Sequence, residues 1–210
     1  MKIRRPARLA LLATVALGIA VAGGVWLHDA RRPVDHFQLP AEDICIVPPS
    51  VASPAHAWDP AAGHARYDPR PIPANARCPV CGMYPARFPK WAAQIIFSDG
   101  TAHFFDSPVD LFMFLEQTAR FDPSHTVADV AALYVADYRS GTWLDARSAA
   151  FVIGSTVRGP MRGPDLPAFA DQVTARIFAG EHGGRVRLFG AIDHSTVATL
   201  RDANHAEHAH

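Results

Sequence analysis

The chain has 210 residues, of which 49% are hydrophobic and 19% charged. That suits one domain or two small units around a packed core and excludes global disorder. Twenty Lys and Arg balance twenty Asp and Glu, so no excess of positive charge points to nucleic acid.

The first element is an asymmetry hidden by that balance. Lys2, Arg4, Arg5 and Arg8 precede an uncharged stretch from Leu9 to Leu27. A helix needs roughly 20 apolar residues to span a bilayer, so residues 1–28 read as a transmembrane signal anchor. The basic flank stays cytoplasmic, which puts the remainder on the periplasmic side of the membrane. A cleaved signal peptide is the competing reading, because Ala20-Val21-Ala22 fits a small-x-small cleavage site. Cys45 follows Glu42-Asp43-Ile44 and lacks the small residue that a lipoprotein site requires before its Cys.

Residues 29–76 read as a Pro-rich linker, with Pro at 33, 40, 48, 49, 54, 60, 69, 71 and 73. Such a chain cannot continue helix or ladder hydrogen bonds, so it is expected to be an extended spacer. The head starts near Arg77 and predicts an α+β fold of two similar ββαβ units packed together. The first unit covers residues 77–140. Asp99-Gly100 between two apolar runs predicts a two-residue hairpin turn, with Phe97 opposite Ala102 and Ile95 opposite Phe104. Ser107-Pro108-Val109-Asp110 opens a helix, with Ser107 as cap and Asp110 as a capping-box acid. A strand over residues 133–137 follows.

The second unit covers residues 141–192. Strands are expected over residues 142–145 and 148–153, and a helix over residues 167–181 with Phe169, Val173 and Ile177 on one face. A closing strand follows His182-Gly183-Gly184. A Gly/Pro-rich loop, residues 154–166, interrupts this unit and carries Met161. Residues 193–210, with His194, His205, His208 and His210, show no apolar period and read as a disordered tail.

Cys78-Pro79-Val80-Cys81-Gly82-Met83 carries the chemistry. Thiolates and thioethers are soft ligands that favour Cu(I) over hard cations. Cys81 and Met83 are two apart, so in an extended segment they point the same way, and Gly82 lets the backbone bend toward a shared ion. Cys78 offers a second thiolate. A Cys78–Cys81 disulfide, half of a zinc site, and a redox motif compete with this reading. The redox motif would make the protein a thiol–disulfide oxidoreductase acting on a cuproprotein, and it needs both cysteines. His103 falls on the more polar hairpin face, as a solvated residue or a ligand. Met161 sits between Gly-Pro and Arg-Gly-Pro, away from any apolar run, as a further copper ligand or a gap filler. No GxSxG, HExxH or phosphate-binding Gly loop proposes an enzyme.

Residues 78–115, CPVCGMYPARFPKWAAQIIFSDGTAHFFDSPVDLFMFL, together with WLDARSAAFVIGS, Gly159-Pro160-Met161 and EHGGRV, resemble the nitrous oxide reductase accessory family NosL. The resemblance implies a Cu(I) chaperone, not an enzyme. It implies a fold of two ββαβ units, and as partners nitrous oxide reductase and an ABC-type maturation complex. Matched to the motif, the ligands fall on Cys81 and Met83, with Met161 or His103 as a further ligand. The YHS metal-binding finger also carries CGM, but its aromatic pair is followed by a Cys, where Phe104-Phe105 here is followed by Asp106.

Overall fold

The computed structural model describes residues 54–208. The expected membrane span, most of the Pro-rich stretch and Cys45 lie outside the described residues. Among those described, no helix is long and apolar enough to cross a membrane.

Two antiparallel sheets form the scaffold. The first has the order β2-β1-β3-β4, from β1 (Ala93–Phe97), β2 (Ala102–Phe105), β3 (Val130–Ala136) and β4 (Trp143–Asp145). The second has the order β6-β5-β7, from β5 (Ala150–Ile153), β6 (Ala168–Phe169) and β7 (Arg185–Leu188). Helix α1 (Pro108–Glu116) follows β2, and a single turn, α2 (Thr118–Phe121), follows α1. Helix α3 (Gln172–His182) follows β6, and α4 (His194–His208) closes the described chain. In each sheet a hairpin leads into a helix, and the strand after that helix pairs beside the hairpin's first strand. The strand expected to open the second unit belongs elsewhere: β4 pairs with β3, Val135 opposite Leu144. Its place is taken by β5, and β6 comes from residues expected to start the helix.

The hairpin register also differs from expectation by one residue. Ile95 stands opposite His103 and Ala93 opposite Phe105. The Phe97 N–H donates to the Thr101 carbonyl at 2.9 Å, so the turn has three residues, Ser98-Asp99-Gly100. Gly100 supplies the left-handed corner at φ 90°, the arrangement that suits a three-residue hairpin loop. The Asp99 carboxylate accepts from the Thr101 N–H at 2.8 Å and fixes that corner. A one-residue shift moves every side chain of one strand to the other face. Ala93, Ile95, Phe97, His103 and Phe105 therefore share the face packed against α1. Gln94, Ile96, Ala102 and Phe104 share the outer face.

That outer face explains the Pro-rich stretch. Ile96 and Phe104 are buried with Ala76 and Ile72 over them. Exposing that surface to water would forfeit roughly 25 cal/mol per Å². Residues 54–76 are thus a cover laid across the sheet, not a spacer. His56 bridges to Ala102 at the free edge of β2. The Arg70 N–H donates to Gln94 Oε1 at 3.0 Å, and Gln94 Nε2 returns a bond to the Arg70 carbonyl at 3.2 Å. A proline-rich chain suits this role because it is already extended.

The main core lies between the sheets and α1, with Phe97, Phe105, Leu111, Phe114, Phe151 and Leu166 fully buried. Ser107 caps α1, accepting from the Asp110 N–H, and Pro108 occupies its first turn, both as expected. A smaller core joins the far side of the second sheet to α3 through Val152, Phe169, Ala175 and Phe178. Helix α3 starts later than its periodicity suggested. Asp171 caps it, accepting from the Thr174 N–H, and Phe169 remains in β6. Val173 and Ile177 face solvent at 63% and 52% exposure, because Ala175 and Phe178 supply the buried face instead.

The C-terminal stretch is helical over most of its length, where a disordered tail was expected. Asp193 accepts from the Thr196 N–H at the start of α4, and Val197 and Leu200 enter the main core. The apolar signal is sparse, three residues apart, but it suffices once α1 provides a surface. Leu200→Ala should cost about 2–4 kcal/mol of unfolding free energy in chemical denaturation, whereas a tail residue would cost nothing measurable.

The shifted register buries His103, at 2% exposure, where its Nε2 lies 2.9 Å from Asp122 Oδ2. The same carboxylate oxygen meets His125 Nδ1 at 2.7 Å, and His125 Nε2 reaches Asp99 at 3.1 Å. This chain ties the hairpin turn to the loop after α2. The bond with His103 holds the Asp122 carboxyl far below its usual range. Burial pulls the His125 imidazole down, but its bonds to Asp122 and Asp99 outweigh that and raise it. A depressed carboxyl stabilises above its unfolded pKa of about 4, and a raised imidazole stabilises below its unfolded pKa of about 6.5. Asp122→Asn should therefore lower the thermal midpoint most near pH 5, by the equivalent of about 2 kcal/mol. The gap from wild type should narrow as pH falls from about 4 toward about 2, and as it rises through the raised range of the His125 imidazole, above about 6.5.

Candidate metal centre

The CxxC segment folds into a closed turn. The Cys78 N–H donates to the Met83 carbonyl at 2.8 Å, and the Gly82 N–H donates to the Cys78 carbonyl at 2.9 Å. Gly82 adopts φ 76°, which a side chain would resist. Val80 and the fully buried Cys78 anchor the turn in the main core, while Cys81, Gly82, Met83 and Tyr84 are half-buried. Pro85 then begins a short 3₁₀ turn, Pro85–Arg87.

The turn lies on the first turn of α1. Cys78 Sγ donates to Asp110 Oδ2 at 3.2 Å, and Cys81 Sγ donates to Asp106 Oδ1 at 3.0 Å. One ligand atom from each of Cys78, Cys81, Asp106 and Asp110 lies within 4.8 Å of the other three. The second oxygen of Asp106 is buried and has no protein partner. Two thiols and two carboxylates so gathered can surround one metal ion. The two cysteines are not bridged.

The electrostatics of the group are set by burial and crowding. Burial pushes the Cys78 thiol far up, and the nearby Asp110 and Asp106 charges add to this. The hydrogen bond with Cys78, then burial, does the same for Cys81. Asp110 is raised by burial and by Asp106. A thiol so placed is a poor nucleophile at neutral pH, unlike the depressed-pKa cysteine of a redox motif. A cation arriving in the group would displace thiol protons and relieve the carboxylate repulsion together.

A third acid joins from the Gly/Pro loop. Asp165 is buried at 4% exposure beside the Ser107 hydroxyl and the Val109 N–H, so it too sits on the start of α1. Burial first, and then Asp106, push its carboxyl up to about 7. The loop around it is tight. The Arg162 N–H donates to the Gly159 carbonyl at 2.9 Å, Arg162 adopts φ 63°, and Gly159 packs directly on the Asp165 carboxylate. From outside, Asn204 of α4 donates to the Pro164 carbonyl at 3.2 Å. A Cβ on Gly163 would collide with Asn204 Oδ1.

Of the residues singled out from sequence, the structure gathers Cys78 and Cys81 and puts Met83 on the same turn. Met161 is half-buried on the loop whose Asp165 reaches α1. His103 is held instead in the Asp122–His125 chain and is not part of the four-ligand group. Sequence reasoning missed Asp106, Asp110 and Asp165 as site residues. Asp110 was legible only as a capping acid, and a capping acid and a ligand look alike in a sequence.

A sequence model of the NosL family matches residues 69–197. The copper-binding lipoprotein NosL of Stutzerimonas stutzeri is 34% identical over 139 residues, covering 62% of this chain and 67% of that protein. The crystal structure of the copper chaperone NosL from Shewanella denitrificans superposes with a TM-score of 0.51 at 26% identity, over 61% of this chain and 97% of the other. The solution structure of apo-NosL from Achromobacter cycloclastes covers 50% of this chain and 87% of its own at 25% identity, with a TM-score of 0.37. The chain belongs to the NosL family.

Proposed function

We propose that this protein binds Cu(I) at the Cys81–Met83 turn as cargo and delivers it for the maturation of nitrous oxide reductase. The observation that carries the reading is the convergence of two thiols on one turn, with the orphaned oxygen of Asp106 beside them. The relatives named copper-binding protein and copper chaperone supply the metal. Cys81 is the principal ligand, because it is half-buried and reachable, whereas Cys78 is sealed in the core. Met83 adds a thioether from the same turn and Met161 one from the facing loop. His103 plays no part as a ligand on this reading, since its ring is committed to Asp122. Asp106 and Asp110 accept the thiol hydrogens in the empty site and offset the ion's charge in the loaded one. The oxidoreductase alternative is disfavoured by the raised thiols. We read the two sheets as two copies of one ββαβ unit, from their shared strand order.

The test is titration of the reduced, anaerobic protein with Cu(I) against a competing chelator. Wild type should take up about one Cu(I) per chain and prefer it to Zn(II). Cys81→Ser should lower the affinity by at least about 100-fold, and Met83→Leu and Met161→Leu by about tenfold each without shifting the apo melting point. A Cys81→Ser/Met83→Leu protein that binds as tightly as wild type would place the site elsewhere. Unchanged affinity in Met161→Leu would make that residue a packing element.

The reading also places the protein on the periplasmic side of the cytoplasmic membrane, tethered by Leu9–Leu27. Amino-terminal sequencing of the protein from the membrane fraction should find the chain intact from its start. A mature start at Gly23 would replace the tether with a cleaved signal peptide and leave the compartment unchanged.

A further inference from the structure

The stretch of chain around the thiol turn carries exposed charge of one sign. No Asp or Glu occurs between Asp68 and Asp99, yet Arg77, Arg87 and Lys90 fall in that interval, and all three are exposed. Arg77 donates to the Gly82 carbonyl at 3.2 Å, so its guanidinium rests on the metal-binding turn itself. It also packs on the Tyr84 ring, 4.4 Å from the centroid, and Arg87 packs on the same ring at 4.8 Å. Among the described residues no carboxylate pairs with Arg77, Arg87 or Lys90. Two guanidiniums clasping one ring lie within a Debye length of each other and repel. The ring quadrupole compensates only in part. A planar guanidinium held in place without a counter-charge is a ready receptor for a carboxylate.

We propose that Arg77, Arg87 and Lys90 form the docking rim for an acidic face of the protein that accepts the copper. The position of the patch selects a protein over a membrane surface. Copper leaves by ligand exchange, so the acceptor's own sulfur or imidazole must come within bonding reach of Cys81 and Met83. A lipid headgroup brings no such ligand. The patch and the buried acids divide the labour: Asp106 and Asp110 hold a cation inside, and the cationic rim steers the acceptor from outside. The inference rests on the copper-delivery reading only for the acceptor's identity.

The experiment measures association of the full chain, copper-free, with immobilised apo-nitrous oxide reductase at about 20 mM and about 200 mM salt. Wild type should associate about tenfold faster at the lower salt. Arg87→Glu/Lys90→Glu should slow association by at least about tenfold and flatten the salt dependence. Lys90→Glu alone, which leaves the Tyr84 contacts intact, should show part of the effect, and Arg176→Glu on α3 should show none. Equal rates for wild type and the double variant overturn the proposal. So does wild type that ignores the reductase, including wild type that binds mixed phosphatidylglycerol and phosphatidylcholine vesicles instead. Because the measurement needs no metal, a protein that docks but fails to take up Cu(I) refutes the copper reading and leaves the rim standing.

Discussion

Three carboxylates, Asp106, Asp110 and Asp165, converge on the first turn of α1, and much of the architecture follows from keeping them there. Like charges at that spacing in a buried setting repel strongly. Several things make the arrangement tolerable. The exposed N–H groups of the helix start, with Ser107 as cap, favour negative charge. Cys78 and Cys81 bring weak donors. The remaining imbalance is a standing demand for protons or a cation.

Each of the three acids comes from a differently built piece of chain. Asp106 begins the short passage from β2 to α1, Asp110 lies inside α1, and Asp165 arrives from the other sheet on a loop clamped by α4. The outer cover of residues 54–76 stiffens the first sheet, through the Gln94–Arg70 exchange, and so steadies the strand that leads to Asp106. The family match ends at residue 197, whereas Asn204, the clamp on the loop, lies beyond it. The part of α4 that grips the loop is therefore outside the stretch matched to the family.

Sequence reading recovered the features whose signal is local. The Ser107-Pro108 helix start and the strand pattern of β1 and β2 state themselves within a few residues, whereas the Cys78–Met83 segment, expected to be extended with a bend at Gly82, closes into a turn. It failed where the deciding contact is distant. Prolines in residues 54–76 announce extension but not the apolar sheet face they will cover. Val197 and Leu200 look isolated until α1 lies beneath them. The acids were hidden for a different reason. Burial turns an ordinary helix-cap Asp into a site residue, and burial at α1 depends on the second sheet. Asp99-Gly100 fits a two-residue turn as well as a three-residue one, and the choice is made by the partners of Phe97 and Asp99 across the strands.

That last choice reaches beyond local geometry into how the chain can change its length. Ser98, Asp99 and Gly100 act as a spacer whose residue count sets which side of β2 points inward. Losing one residue there would turn His103 and Phe105 out and bring Ala102 and Phe104 in, emptying the contact with Asp122 and uncovering the face under residues 54–76. The exposed loop at Gly63 joins no paired strands, and nothing lies within 4 Å of an added Cβ there, so it carries no such penalty. Among related sequences, insertions and deletions should therefore gather at that loop, and the count between Phe97 and Thr101 should hold constant however far the residues themselves diverge.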